Sequence, residues 1–361
     1  MIRAMETFEA LARKHAVDDE LQQQWTIAGR PKGNVRAEDF AWRERPLPEL
    51  ASGEVLLKTL YLSLAPVMRD YMSGESFAGE APLNIGDVVH GRGVAQIVKS
   101  RHPEWQEGQV VQGQIGWQTY KVSSMTPAEK FRIMPRNELP ASLGLGALGM
   151  TGLSAWAGFY TVGAPTPGDR VLVSGAVGGV GSLVIQFAAN VSGCEVVGIA
   201  GGPAKCGLAR QLGCIQTIDY KSEDIAAALQ NALPNGLNIY FDNVGGEILN
   251  AAMDHLNPRA RIVLCGSISE YTETAPYALP NYTRLRRTDS QMRGFFVYNH
   301  LADWDRAMDE IAEWIKSGQV KPVEQITDGF EHMPAALAGL YTGANAGKQI
   351  CKVRGEPTEW N

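Results

Sequence analysis

Between residues 169 and 200 the chain reads as a buried strand, a run of glycines, a helix and a second buried strand. Asp169-Arg170-Val171-Leu172-Val173-Ser174 has the apolar character of an interior parallel strand. It runs into Gly175-Ala176-Val177-Gly178-Gly179-Val180-Gly181, then into the helical Ser182-Leu183-Val184-Ile185-Gln186-Phe187-Ala188-Ala189. An apolar strand follows at 195–200. A βαβ unit with a glycine-rich first turn belongs to a doubly wound α/β sheet, and the turn is where such sheets hold a pyrophosphate. Missing side chains let the backbone approach the phosphates, and the helix N-terminus offers N–H groups and positive potential. The spacing here is Gly175-x-x-Gly178-x-x-Gly181 rather than G-x-G-x-x-G. The plainer alternative is a tight turn with no ligand. Strand, turn, helix and second strand in the right order favour the ligand.

The end of the second strand bears on which dinucleotide is held. An NAD site places Asp or Glu about 20 residues beyond the glycines, on the ribose hydroxyls. This chain has Ala200-Gly201-Gly202-Pro203-Ala204-Lys205 there. Two glycines leave room for a 2′-phosphate and Lys205 neutralises it, so NADP(H) is expected over NAD(H). Lys205 is otherwise a solvated residue early in a helix, where a cation is unfavourable unless an anion sits there.

Further strands are expected at 215–219, 237–242, 260–265 and 292–297, with helical stretches between the earlier ones. Together they make six strands of a doubly wound parallel sheet. Residues 304–316 form a strongly amphipathic helix. Before this region the pattern differs. Residues 1–24 read as an irregular or helical extension, with Phe8, Leu11 and Leu21 on one face. From Trp25 the chain is β-rich, with strands at 54–62, at 87–98 as two strands meeting at a glycine bend, and at 109–114 and 116–122. Helical character starts near Leu143, and a last strand at 349–353 rejoins the first domain.

At 361 residues the chain supports two domains. A net charge of −6 without a basic block argues against nucleic acid and anionic membrane partners. No apolar run is long enough to span a bilayer, and residues 1–20 are unlike a secretory signal. Five scattered cysteines fit free thiols in a reducing cytoplasm.

Several motifs together resemble a zinc-independent medium-chain dehydrogenase/reductase, of the leukotriene B4 dehydrogenase, prostaglandin reductase and alkenal double-bond reductase group, with bacterial NADPH-dependent curcumin reductases. They are Leu62-Ser63-Leu64-Ala65-Pro66-Val67-Met68-Arg69, Gly116-Trp117-Gln118, Leu148-Gly149-Met150-Thr151-Gly152 and the glycine turn. Phe241-Asp242-Asn243-Val244-Gly245-Gly246, Cys265-Gly266-Ser267-Ile268-Ser269-Glu270-Tyr271 and Asn345-Ala346-Gly347-Lys348 complete the set, in order, from Trp25 to Val353. The resemblance implies a GroES-like β-rich catalytic domain (25–147 and 318–361) after the 1–24 extension, and a Rossmann NADP-binding domain (148–317). It implies that Gly178, Gly179, Val180 and Gly181 meet the pyrophosphate and that Lys205 and Tyr220 meet the 2′-phosphate. Asn243, the segment Cys265, Gly266, Ser267, Ile268 through Tyr271, and Phe296 and Asn345 then line the ribose and nicotinamide. By themselves Asn243 reads as a turn residue and Asn345 as a loop residue. The group commonly shows Asp-Pro-Tyr-Met-Arg where this chain has Ala65-Pro66-Val67-Met68-Arg69; Tyr71 is a nearby substitute for the lost tyrosine.

No metal is expected. The zinc enzymes of the superfamily carry Gly-His-Glu at the barrel bend, where this chain reads Gly91-Arg92-Gly93. No cysteine precedes Lys121, and His90 and His102 lack partners at ligand spacing. Without a Lewis acid, hydride addition to an activated C=C is easier to support than oxidation of a simple alcohol. The expected activity is therefore an NADPH-dependent enone or enal reductase taking a small hydrophobic conjugated carbonyl substrate in an apolar cleft. Tyr271 is the first candidate proton donor and Tyr282 the second; each also reads as a packing residue with its hydroxyl at the surface. NADPH:quinone reduction is the alternative within the class, and a non-enzymatic NADPH-binding or sensor protein the alternative outside it. Relatives pair the last strands of their Rossmann sheets, so a cytoplasmic homodimer is expected.

Overall fold

Six short apolar stretches of the second half of the chain assemble as one all-parallel sheet. Its spatial order is Gln216–Asp219, Glu195–Ala200, Arg170–Val173, Leu237–Asp242, Leu256–Leu264 and Gln291–Gly294. The computed structural model describes residues 2–76, 81–135, 138–273, 275, 277–357 and 360, with side chains from residue 7 onward. The chain divides into two compact units. One holds Met1–Leu145, Gln325–Ala344 and Gln349–Asn361, and the other Gly146–Glu324 and Asn345–Lys348.

The second unit is the doubly wound one. Its sheet reverses direction of growth at Arg170–Val173, whose neighbours are the second and fourth strands in chain order. Leu172, Val197, Ile199, Ile218, Tyr240 and Ile262 from the strands bury against Leu229 and Leu249 from the helices. Each such aliphatic side chain contributes roughly 1.5–3 kcal/mol relative to exposure. The helical stretch expected after Leu143 begins as a 3-10 turn, Ala141–Leu145, runs as Met150–Trp156 and widens into a π-turn over Ala157–Gly163. Gly158 lets the Phe241 and Phe295 rings pack against it, because a Cβ there would stand 2.8 Å from each. Trp304–Lys316 forms the expected amphipathic helix.

The last strand differs from expectation. It ends at Gly294, not at Val297, and is mostly exposed. Phe295 turns back toward Gly158, and a 3-10 helix starts at Val297.

The first unit holds a two-stranded antiparallel ribbon, Leu21–Ile27 with Phe40–Pro46, and a seven-stranded sheet. The sheet centres on Val55–Ser63, between Arg92–Ser100 and Lys348–Lys352. Its core collects Trp25, Phe40, Leu57, Leu62, Ile97, Trp117 and Phe330. The first strand starts at Leu21, ahead of the expected Trp25. Gln22, Gln23 and Gln24 hide it from hydropathy, since all three are buried. Their side-chain amides donate to the Tyr120 carbonyl at 2.8 Å, the Ala16 carbonyl at 2.7 Å and Gln118 Oε1 at 2.8 Å. Residues 87–98 give one strand, Arg92–Ser100, with Val88 only bridging Thr26. Gly116, at φ +77, turns the chain, so the strand expected at 116–122 is only Tyr120–Ser123. Ile2–Ala12 is a helix that buries Phe8 and Ala12.

Candidate active site

The carboxyl ends of the parallel strands carry nearly every residue of interest, as expected for an open α/β sheet. After Arg170–Val173 the chain turns at Gly175, φ +57, and enters the helix Gly179–Gln186 with Gly178 as an extended N-cap. Gly178 N–H bonds the Gly175 carbonyl at 2.9 Å, and Ala176 N–H bonds the Ile199 carbonyl at 3.0 Å. A Cβ on Gly181 would collide with the Gly175 carbonyl, which explains the third glycine. The helical ladder begins with Ser182 N–H on the Gly178 carbonyl at 3.0 Å. The N–H groups of Gly179, Val180 and Gly181 precede that ladder, the arrangement that suits an anion.

Asn345–Lys348 lies along this turn. Gly347 N–H bonds the Val177 carbonyl at 2.6 Å and the Asn345 amide bonds the Gly347 carbonyl at 3.1 Å. The Lys348 stem passes Gly179, where a Cβ would stand 3.3 Å from its Cδ. Burial lowers the Lys348 ammonium to about 8, with Glu324 opposing.

The second strand ends at Ala200, and the helix Pro203–Leu212 starts from Gly202, φ +92. Tyr220 lays its ring over Gly201; a Cβ there would stand 2.8 Å from the ring. Lys205 is half-buried, and its ammonium is lowered first by burial and then by the charge of Lys221. Two lysines that repel each other beside an aromatic ring and a helix N-terminus form a local cation excess. Sequence reading missed Lys221 and also Asp219, one strand further on. Asp219 accepts Gly202 N–H at 2.7 Å and Lys221 N–H at 3.0 Å, bonds that hold its carboxyl below the ordinary value.

Asp242 is the centre of the third cluster. Fully buried at the end of its strand, it accepts Ser174 Oγ at 2.8 Å and Tyr240 OH at 2.6 Å. It also accepts Val244 N–H and Gly245 N–H at 3.1 Å. Burial raises its carboxyl, opposed by these donors. Asn243 is tied down in turn: its backbone N–H donates to Ser174 Oγ at 2.9 Å and its side-chain amide to the Ser174 carbonyl at 2.8 Å. This leaves the Asn243 side-chain oxygen as its remaining acceptor. The sequence signal for Asp242 was a carboxylate directly after Ile-Tyr-Phe of a buried strand.

The 265–271 loop hangs on that cluster. Cys265 and Gly266 donate their N–H groups to the Asp242 carbonyl at 2.9 and 3.2 Å, and Ile268 N–H reaches the Asn243 carbonyl at 3.3 Å. Burial pushes the Cys265 thiol up to about 12, so it stays neutral near pH 7. Tyr271 is half-buried, and its hydroxyl stands over Gly266, 3.7 Å from where a Cβ would be. Phe296, 41% exposed, follows the end of the last strand and tilts against Tyr298.

Tyr282 lies elsewhere. It is 61% exposed, on a turn whose Asn281 bonds Asn250 and Asp254. Asp254 directly precedes the strand Leu256–Leu264, so Tyr282 stands near the amino ends of the strands. The structure thus gathers Gly178–Gly181, Asn243, Cys265–Tyr271, Phe296 and Asn345 at one edge with Lys205 and Tyr220, and leaves Tyr282 outside. In the other unit, the His90 ring meets the Tyr71 ring edge-on at 4.8 Å. Among the described residues, no group of three or more His, Cys, Asp or Glu side chains could hold a metal ion.

Comparison with known proteins follows this geometry. Residues 23–131 match a model described as the N-terminal domain of oxidoreductase, and residues 179–313 one described as zinc-binding dehydrogenase. The chain is 37% identical to the NADPH-dependent curcumin reductase of Escherichia coli, over 92% of this chain and 97% of the relative. It is 36% identical to prostaglandin reductase 1 of Bos taurus, over 91% and 98%. The solved structure of CurA in complex with NADPH from Vibrio vulnificus superposes with a TM-score of 0.86 at 36% identity, covering 93% of this chain and all of that one. The chain belongs to the zinc-independent medium-chain dehydrogenase/reductase group that holds the curcumin, prostaglandin and alkenal reductases.

Proposed function

We propose that this protein is an NADPH-dependent reductase of the C=C bond of α,β-unsaturated ketones and aldehydes. The observation that carries the reading is the carboxyl edge of the parallel sheet. There a glycine turn, a pair of lysines beside Tyr220 and the Asn243 and Tyr271 loops stand in the order a dinucleotide needs. The residues fit the cofactor: Gly175 and Gly181 keep the turn free of side chains, and Lys205 and Lys221 bring positive charge to the ring of Tyr220. Gly178–Gly181 hold the pyrophosphate, Lys205, Lys221 and Tyr220 the 2′-phosphate. Asn243, Cys265–Tyr271, Phe296 and Asn345 hold the ribose and nicotinamide.

Bound NADPH supplies the hydride. The chain's own residues then have two tasks. They hold the substrate against the cofactor, and they deal with the negative charge that develops on the carbonyl oxygen as an enolate. Tyr271 is the group we assign to the second task, with its hydroxyl donating to that oxygen and delivering the proton. Cys265, kept neutral by burial, adds no competing charge.

The reading extends to a small hydrophobic conjugated substrate and to a homodimer formed at the exposed edge strand Gln291–Gly294. It includes a cytoplasmic location, supported by five cysteines without a disulfide pair. Among the described residues no helix is long and apolar enough to cross a membrane. The test is NADPH oxidation against enones, enals and quinones with product identification. The expected product is the saturated carbonyl compound. An allylic alcohol, turnover of quinones only, or NADPH binding without turnover of any of them overturns the reading.

A further inference from the structure

The turn after the Leu237–Asp242 strand is gripped by two carboxylates. Asp242 takes the N–H groups of Val244 and Gly245, both at 3.1 Å, and Glu270 takes Gly246 N–H at 3.2 Å. Three successive N–H groups leading into the helix Gly246–Ala252 are thus satisfied by the chain's own acids, and negative charge is favoured there. Gly245 and Gly246 adopt positive φ, +74 and +57, which presents these N–H groups as a concave set. A Cβ on Gly245 would stand 2.6 Å from Glu270 Oε1, so the space a side chain would need is filled by the carboxylate. Ser269 reinforces the contact, with its hydroxyl at 2.6 Å and its N–H at 3.1 Å from the Val244 carbonyl. The residue after Glu270 is Tyr271.

We propose that Glu270 is a positioning residue: its carboxylate latches the 265–271 loop onto the Gly246 N–H and thereby sets where the Tyr271 hydroxyl stands over Gly266. Asp242 holds the turn from the strand side, so the latch has a rigid base. This rests on the reading above, in which Tyr271 serves the enolate.

Glu270→Ala breaks the latch, and Glu270→Gln keeps an acceptor oxygen for the same N–H. Glu270→Ala is expected to lower kcat for an enone by about ten- to a hundredfold, the scale of a small misplacement of a catalytic group. The NADPH Kd, read by fluorescence titration, is expected to stay within about threefold. Glu270→Gln recovers most of the rate. The solvent deuterium isotope effect on kcat rises in the alanine variant, because proton delivery becomes limiting. On a Tyr271→Phe background Glu270→Ala adds little, since it acts through Tyr271. Hydrogen exchange at Gly246 and residues 268–271 accelerates in the alanine variant, a result read without turnover. Parental kcat in Glu270→Ala, full additivity with Tyr271→Phe, or unchanged hydrogen exchange overturns the proposal. A parent protein that reduces no enone defeats the functional reading instead, and hydrogen exchange still decides the latch.

Discussion

The Tyr220 ring rests on Gly201, so close that a Cβ on Gly201 would stand 2.8 Å from three of its atoms. The pair places an aromatic face beside Lys205 at the start of a helix. It leads to the first prediction, which concerns cofactor choice. The parent protein is expected to bind NADPH more tightly than NADH, and Lys205→Ala to narrow that gap by about ten- to a hundredfold, as for a charge-assisted contact of roughly 1.5–3 kcal/mol. Gly201→Ala displaces the ring and narrows the gap in the same direction. Fluorescence titration with both nucleotides is the measurement, and equal affinities in the parent contradict the assignment.

Tyr271→Phe tests the chemistry. It keeps the ring over Gly266 and removes the hydroxyl. Loss of one oxyanion donor costs on the order of 10²–10³ in rate in other enzymes. A smaller loss in kcat is expected here, since a ribose hydroxyl or water replaces the donor, with NADPH affinity nearly unchanged. Tyr282→Phe, at the amino ends of the strands, is expected to leave kcat alone. Steady-state kinetics on one enone decide; equal turnover by Tyr271→Phe and the parent moves proton delivery to solvent.

Lys348 makes stability depend on pH. Burial lowers its ammonium from 10.5 to about 8. Below about 8 both folded and unfolded chains carry the proton, and the folded form bears the whole cost of burying the charge. Between about 8 and 10.5 the unfolded chain binds more protons, so this residue makes stability rise with pH. The shift corresponds to roughly 3 kcal/mol. Lys348→Met removes the dependence. Urea unfolding of both proteins from about pH 7.5 to 10 is expected to show the parent gaining on the variant as pH rises. A constant difference across that range counts against a buried, depressed lysine.

Zinc content is a third kind of test. Gly91-Arg92-Gly93 stands at the bend, and His90 packs on Tyr71. Elemental analysis of purified protein is expected to find far less than one zinc per chain, and chelators to leave activity intact. One tightly held zinc lost together with activity would refute this.

Assembly follows from the sheet edge. Gln291–Gly294 is the outer strand of its sheet and mostly exposed, which leaves backbone groups for a second copy to pair with. Light scattering at micromolar concentration is expected to give twice the chain mass; a monomer speaks against the pairing.

Much of the parallel sheet was legible because its signals are local. A strand that is apolar throughout, a glycine turn and a helix of small residues each announce themselves within a few positions, and Gly178–Gly181 follow directly. The absence of an acid after Ala200 is equally local. The strand at Leu21 was not legible, because Gln22, Gln23 and Gln24 are buried polar residues whose partners, Tyr120, Ala16 and Gln118, are distant in sequence or in other segments.

The sequence by itself determined the order of elements, the phosphate turn and the cation that favours NADPH, since these depend on spacing along one segment. Only the tertiary structure decided which side chains share the carboxyl edge of the sheet. It brought Lys221 to Lys205, hung the Tyr271 loop on Asp242 and Glu270, and set Tyr282 near the opposite ends of the strands. The physical reason is that strand order in a doubly wound sheet is not chain order. Asn243 and Ser174 are 69 residues apart in the chain and 2.8 Å apart in space, because strand pairing placed their strands side by side.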